Sequence, residues 1–131
     1  MLVIYDKALN DSDKSFSFHG PTILDSVHVR LSTTATVGNR QIVLEVLTAA
    51  ADVIFAVYAG VVQAASLVRR YTMHVGSGHD AAFMPAAAEG VAHIPIPNNL
   101  TIPAGGSLRI RDSAAIAAAA DDMEVTLQYR E

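Results

Sequence analysis

Apolar and polar residues alternate along much of this chain, most cleanly near its C-terminal end. Leu108 and Ile110 fall on one side of a run whose other side holds Ser107, Arg109 and Arg111. Met123, Val125, Leu127 and Tyr129 likewise oppose Glu124, Thr126, Gln128 and Arg130. Successive side chains of a strand point to opposite faces, so a period of two with one apolar and one charged face predicts half-buried antiparallel strands. The same pattern predicts a strand over 22–33, with Ile23, Val27, Val29 and Leu31 on one face and Ser26, His28, Arg30 and Ser32 on the other. Asp25 interrupts that apolar face, which points to a bulge or a sheet edge. Further strands are predicted over 41–48 and 67–75. In the first, Ile42, Leu44 and Val46 point inward, and Val43 and Leu47 imply that the opposite face is partly covered too.

The stretch 49–66 carries two signals. Val53-Ile54-Phe55-Ala56-Val57-Tyr58 is β-branched and aromatic, hence strand-like. The alanines at 49–51 and the run Gln63-Ala64-Ala65-Ser66 suit a helix on propensity alone. Because Gly60 breaks the middle, the expectation is a strand, a turn near Ala59-Gly60, and a second strand. Val37-Gly38-Asn39 marks another turn, and Gly76-Ser77-Gly78 opens a long loop through Gly90. Prolines at 95, 97 and 103 hold a short extended piece, since proline fixes φ and drives its predecessor toward extended backbone. Ala104-Gly105-Gly106 then supplies a turn. The total is about eight short strands punctuated by Gly and Pro, the pattern of an all-β jelly roll or related antiparallel β-sandwich. Residues 1–15 read as an N-terminal arm or loop, and 16–131 as a single sandwich domain.

Composition bounds what such a domain does. A chain of 131 residues can bury a real core without covalent staples. It has no cysteine, so disulfides and thiolate metal sites are excluded. Nine basic against thirteen acidic residues give a net charge of −4, which argues against a nucleic-acid partner. The 51% hydrophobic content is inflated by twenty-two alanines, each of which contributes little buried area. The segment 49–62 is the longest apolar one, contains Asp52, and falls short of the roughly 20 residues that cross a bilayer, so no membrane partner is expected. The start, MLVIYDKALN, lacks a basic segment followed by a long apolar one, and no secretory signal is expected.

Candidate chemistry is sparse. The five histidines stand at 19, 28, 74, 79 and 93, with no H-x-H pair of the kind that metal-binding jelly rolls place on one strand. His74, His79 and Asp80 could meet around a loop to hold a metal, and Ser77, His79 and Asp80 spell a nucleophile–base–acid set. Residues that close in one loop do not readily converge on one reacting atom, and a solvated glycine-rich loop accounts for them equally. Asp112, Asp121 and Asp122 suggest calcium, but the intervening SAAIAAAA contributes no oxygen ligand, and capping or solvating the start of the last strand is the simpler role. Asn10-Asp11-Ser12 and Asn99-Leu100-Thr101 match the glycosylation sequon. Arg69-Arg70 and Arg109/Arg111 are read as cross-strand partners of carboxylates rather than as a basic patch. The expectation is therefore a non-enzyme with no catalytic, cofactor or metal residues.

The stretch from Ile94 to Leu127 resembles the C-terminal part of small β-rich virion proteins of tailed bacteriophages, the matching residues being Ile102-Pro103-Ala104-Gly105, Leu108-Arg109-Ile110-Arg111-Asp112-Ser113-Ala114-Ala115-Ile116 and Ala119-Ala120-Asp121-Asp122-Met123. The middle piece, 54–71, resembles them more loosely, and together these cover about half the chain. The resemblance implies a virion structural protein, made in the host cytoplasm, that decorates or cements the capsid shell. It implies as partners the major capsid protein or another virion protein, and copies of the chain itself, a trimer being favoured. The other readings are a structural protein of the tail or head–tail junction and a carbohydrate-binding module. The latter is disfavoured by the absence of Trp and by only four Tyr and four Phe to stack on sugar rings.

Overall fold

The computed structural model describes residues 2–10, 13–75, 89–113 and 121–131. Ten strands and no helix lie among them: β1 (Leu2–Asn10), β2 (Lys14–Ser17), β3 (Thr22–Ser32), β4 (Ile42–Leu47), β5 (Val53–Tyr58), β6 (Val68–His74), β7 (Glu89–Pro95), β8 (Thr101–Ile102), β9 (Ser107–Asp112) and β10 (Asp122–Arg130). They form two sheets, one in the order β1-β10-β3-β6-β7 with β8 on β3, the other β2-β9-β4-β5.

The pairings are nested. β4 pairs with β5, β3 with β6, β2 with β9 and β1 with β10. The chain is thus a long antiparallel ribbon that runs out through β1–β4 and returns through β5, β6, β9 and β10. The ribbon then rolls up, so that β10 also pairs with β3 and β9 with β4. This is the jelly-roll connectivity anticipated from the strand pattern. β7 is added alongside β6 and is parallel to it, the one non-antiparallel pairing among the described strands.

Alternation places the core as expected. Met123, Val125 and Leu127 of β10 meet Leu108 and Ile110 of β9 between the sheets, with Val27, Val29 and Leu31, Ile42, Leu44 and Val46, and Tyr71 and Met73. The Asp25 irregularity is a bulge. Gln128 pairs with Ser26 and Tyr129 with Leu24, leaving Asp25 without a partner on β10. One extra residue reverses the phase of the strand. Leu24 therefore enters the core ahead of the bulge, and Ile23, expected there, lies on the other face.

Three other expectations need correction. The stretch read as an N-terminal arm or loop holds β1, paired along β10, and the start of β2, where Lys14 is buried and reaches Asp6 at 3.4 Å. No strand forms between Gly60 and β6. There Gln63 makes a single isolated bridge to Arg40, with backbone hydrogen bonds in both directions. Of the long loop expected from Gly76 through Gly90, residues 76–88 lie outside the described residues, and Glu89 and Gly90 instead begin β7. The Ala104-Gly105-Gly106 turn is confirmed, with Gly105 at φ 74°. A Cβ on Gly106 would come within 2.4 Å of the Leu47 carbonyl oxygen, so the close approach of that turn to β4 requires glycine.

With Leu127 fully buried, Leu127→Ala should lower unfolding free energy by about 2–5 kcal/mol in urea titrations. A change at half-buried Thr126, on the opposite face, should cost about 0.5 kcal/mol or less.

Candidate functional site

The polar side chains fall into three groups, of which the most buried is structural. Arg40 is completely buried in the connection between β3 and β4. Its Nε donates to Asp121 Oδ2 at 2.8 Å and one terminal nitrogen to Oδ1 at 3.3 Å, while the other terminal nitrogen donates to the carbonyls of Thr36 and Gly38 at 2.9 and 2.7 Å. Asp121 also accepts from the Thr34 amide at 2.8 Å. Beside this pair, Gln63 donates to the carbonyls of Leu31 and Leu67 and accepts from the Tyr71 hydroxyl at 2.9 Å. Burial pushes the Tyr71 phenol up to about 12, so it remains a donor. Every strong hydrogen-bonding valence here is spent on the protein itself.

A second group covers the outer face of the four-stranded sheet. Arg109 and Arg111 of β9 both converge on Glu45 of β4, the Arg109 contact being 3.1 Å. Burial alone would raise the Glu45 carboxyl, but the hydrogen bonds from Arg111 and Arg109 outweigh it and hold it below its usual range. This is the cross-strand pairing expected of those arginines. Val43, Glu45 and Leu47 are all buried on this face, as the apolar residues there implied.

The third group is open to solvent. On the outer face of the larger sheet, Tyr5, His28, Arg30, Arg70, Thr72, Val91, Glu124 and Thr126 line a shallow depression of about 230 Å³. The registers set these residues in rows. Glu124, Arg30, Arg70 and Val91 stand side by side across β10, β3, β6 and β7, and Thr126, His28, Thr72 and His93 form the next row. Tyr5 donates to Glu124 at 3.2 Å, and Arg30 lies 3.8 Å from the same carboxylate. His74 and His93 meet edge to face with ring centroids 6.4 Å apart. Burial, with a smaller contribution from His74, holds the His28 imidazole below its ordinary value.

These placements decide the candidate sites. No group of three or more metal-ligating side chains able to hold an ion occurs among the described residues. His74 lies on β6 beside His93, while Ser77, His79 and Asp80 lie outside the described residues. Asp121 neither solvates a strand nor faces a cation site, because it is buried against Arg40; Asp112 accepts from the Gln41 amide at 3.0 Å. Asn99 sits in a turn at φ 55° and accepts from Arg130 at 3.3 Å; Asn10 lies in β1. Arg69 is buried and donates to the Val62 carbonyl at 2.9 Å.

Reading the sequence strand by strand misses one surface. Six of the ten exposed large apolar side chains among the described residues lie on two edge strands, Leu2, Val3 and Tyr5 on β1 and Val53, Ile54 and Tyr58 on β5; the other four are single valines at 37, 62, 75 and 91. The signal was present as β-branched runs, but only the sheet order shows that both are edges.

No known protein family matches the chain, and no curated protein does. Among solved structures, a chain from the structure of infectious bursal disease virus Gx strain is similar over 95% of this chain, with 10% sequence identity and a TM-score of 0.37. This chain covers 32% of that one, about a third of its length.

Two outcomes follow from this geometry. Asp121→Asn should destabilise the fold by about 3–5 kcal/mol in equilibrium unfolding, since it strands a buried guanidinium. Because His28 titrates lower in the folded chain than in the unfolded one, the unfolded state binds more protons below pH 6.5. Its contribution is fully present above pH 6.5 and is lost as pH falls below that value. Melting temperatures measured from pH 8 to 5 should decline over the acid part of that range, and less steeply in His28→Gln.

Proposed function

We propose that this protein is a structural component of a virion that decorates or cements the capsid shell. The observation that carries this reading is that six of the ten exposed large apolar side chains among the described residues lie on edge strands of two different sheets, β1 and β5. Scattered apolar residues are normal on any surface, but grouped ones mark places where something docks. Two separate edges suit a subunit that binds its own copies through one surface and a lattice through another.

The rest of the molecule supports a scaffold role. Its buried charges are committed to holding strands and connections together, and its stretch 94–127 carries the phage virion resemblance. A symmetric homo-oligomer, a trimer at local three-fold positions of the shell, would satisfy several equivalent contacts at once. Linked weak contacts then give tight attachment, since each binding event raises the effective concentration of the next. β1 is the proposed shell-facing edge, with Leu2 and Val3 as its apolar contacts.

The expected result is co-sedimentation with intact particles at hundreds of copies per particle. A dozen or fewer copies would instead place the protein on the tail axis. Removing residues 1–15 is a poor probe, because it strips β1 from β10 and half of β2 from β9. Val3→Lys leaves that backbone pairing in place. It should reduce co-sedimentation several-fold with the melting temperature unchanged, and undiminished binding would remove β1 from the proposed contact.

A further inference from the structure

Among the described strands the two sheets end in four edges, β1, β7, β2 and β5, besides the two-residue β8, and these four are unequally protected. Edge strands expose backbone donors and acceptors that can pair with another chain, and proteins blunt them with charges, proline or bulges. β1 carries Asp6, β2 begins with Lys14, and β7 ends in Pro95. β5, whose sequence is VIFAVY, has no charged residue and no proline. Val53, Ile54 and Tyr58 are 46%, 55% and 54% exposed. Such an uncharged six-residue β-former is the kind of segment most prone to strand pairing.

We infer that β5 pairs antiparallel with β5 of a second copy, joining two four-stranded sheets into one across a two-fold axis. The charges select this occupant. Pairing β5 with any other open edge of the same chain would set a charged or proline-containing strand against an uncharged one, whereas β5 against itself brings no charge into the seam. The register follows from the existing ladder. The Ala59 amide donates to the Ile42 carbonyl at 2.9 Å, and antiparallel residues alternate between facing the partner and facing away. Val57 and Phe55 therefore direct their backbone groups at β4, and Tyr58, Ala56 and Ile54 direct theirs outward.

A seam centred on Ala56 sets that small residue opposite its own copy and Ile54 opposite the partner's Tyr58. An exposed β-branched and an exposed aromatic side chain thereby become cross-strand neighbours, a favourable pair. The bulge at Ile54, which the β4 register skips, keeps the flat part of this edge short. A seam of this length falls below the roughly 800 Å² per partner of stable complexes, so it is weak alone and gains strength only where copies are held close. The contact deepens the assembly role proposed above but stands on β5 alone, and its test uses the isolated chain without particles. Being isologous, it joins chains in pairs even within an oligomer held by another surface.

The chain has no native cysteine, which makes a single introduced thiol informative. Directly opposed residues of a hydrogen-bonded antiparallel pair lie about 5.5 Å apart, within disulfide reach. Under mild oxidation, Ala56→Cys should give a covalent dimer as the main species on a denaturing gel, and Ser15→Cys on the β2 edge should not. In sedimentation equilibrium the unmodified chain should show a mass that rises with concentration. Ile54→Lys should weaken that association at least tenfold while keeping the unmodified circular dichroism and melting temperature. Ala56→Pro, which removes an outward-facing amide and leaves the β4 ladder intact, is the second variant should Ile54→Lys misfold. A chain that stays a single copy at all concentrations, equal cross-linking at positions 15 and 56, or undiminished association in a folded variant would overturn the inference.

Discussion

One buried guanidinium joins three connections that lie far apart in sequence. Arg40 belongs to the β3–β4 connection, Asp121 ends the β9–β10 connection, and Gln63, whose backbone bridges that of Arg40, belongs to the β5–β6 connection. A rolled ribbon needs such a junction, because its chain crosses repeatedly from one sheet to the other at this end, and each crossing leaves backbone groups without ladder partners. Arg40 satisfies the carbonyls of Thr36 and Gly38, Asp121 the amide of Thr34, and Gln63 the carbonyls of Leu31 and Leu67. Buried ion pairs contribute little net stability compared with apolar replacements, since desolvation offsets most of the attraction. Their directional hydrogen bonds, however, admit few alternatives. In this fold the pair fixes which connections meet, and the apolar core between the sheets supplies the stabilisation.

How much of this was legible follows from the range of each interaction. Alternation is local, so the faces of β9 and β10 and the inward set of β4 can be read directly from residues two apart. The Asp25 bulge announced itself as a polar residue on an apolar face. Its consequence, the exchange of Ile23 for Leu24 in the core, depends on a count against β10, about a hundred residues away. Arg40 and Asp121 are 81 positions apart, and nothing local distinguishes Asp121 from the solvated residue it resembles. β1 was misread for a related reason. Its charged residues suit an arm, and only pairing with β10 makes it a strand.

The candidate site shows the same division. Arg109 and Arg111 were readable as carboxylate partners because strands place them on one face, although Glu45 as their shared partner required the β4–β9 register. The row containing His28, Thr72 and His93 draws on three strands and has no signature in any one of them. Sequence spacing pointed to His74 with His79, which lies outside the described residues; the parallel register pairs His93 with Thr72, and the His74 ring meets the His93 ring from the neighbouring position.

Edges are where fold and assembly meet. A jelly roll that encloses its core still leaves the outermost strand of each sheet with unpaired backbone groups, and a chain that stays apart from its copies must protect all four. This chain protects three with charge or proline and leaves β5 apolar. That asymmetry does not follow from folding alone, because a lysine at outward-facing Ile54 or Ala56 would leave the β4 ladder and the core untouched while blocking edge-to-edge pairing. An unprotected edge beside three protected ones is a feature of a protein whose copies pair strand to strand through that edge, whereas a shell contact through the β1 side chains needs no backbone pairing. On this argument the apolar character of VIFAVY belongs together with the charges on β1 and β2 and the proline of β7, the one admitting a particular neighbour and the others refusing misplaced ones.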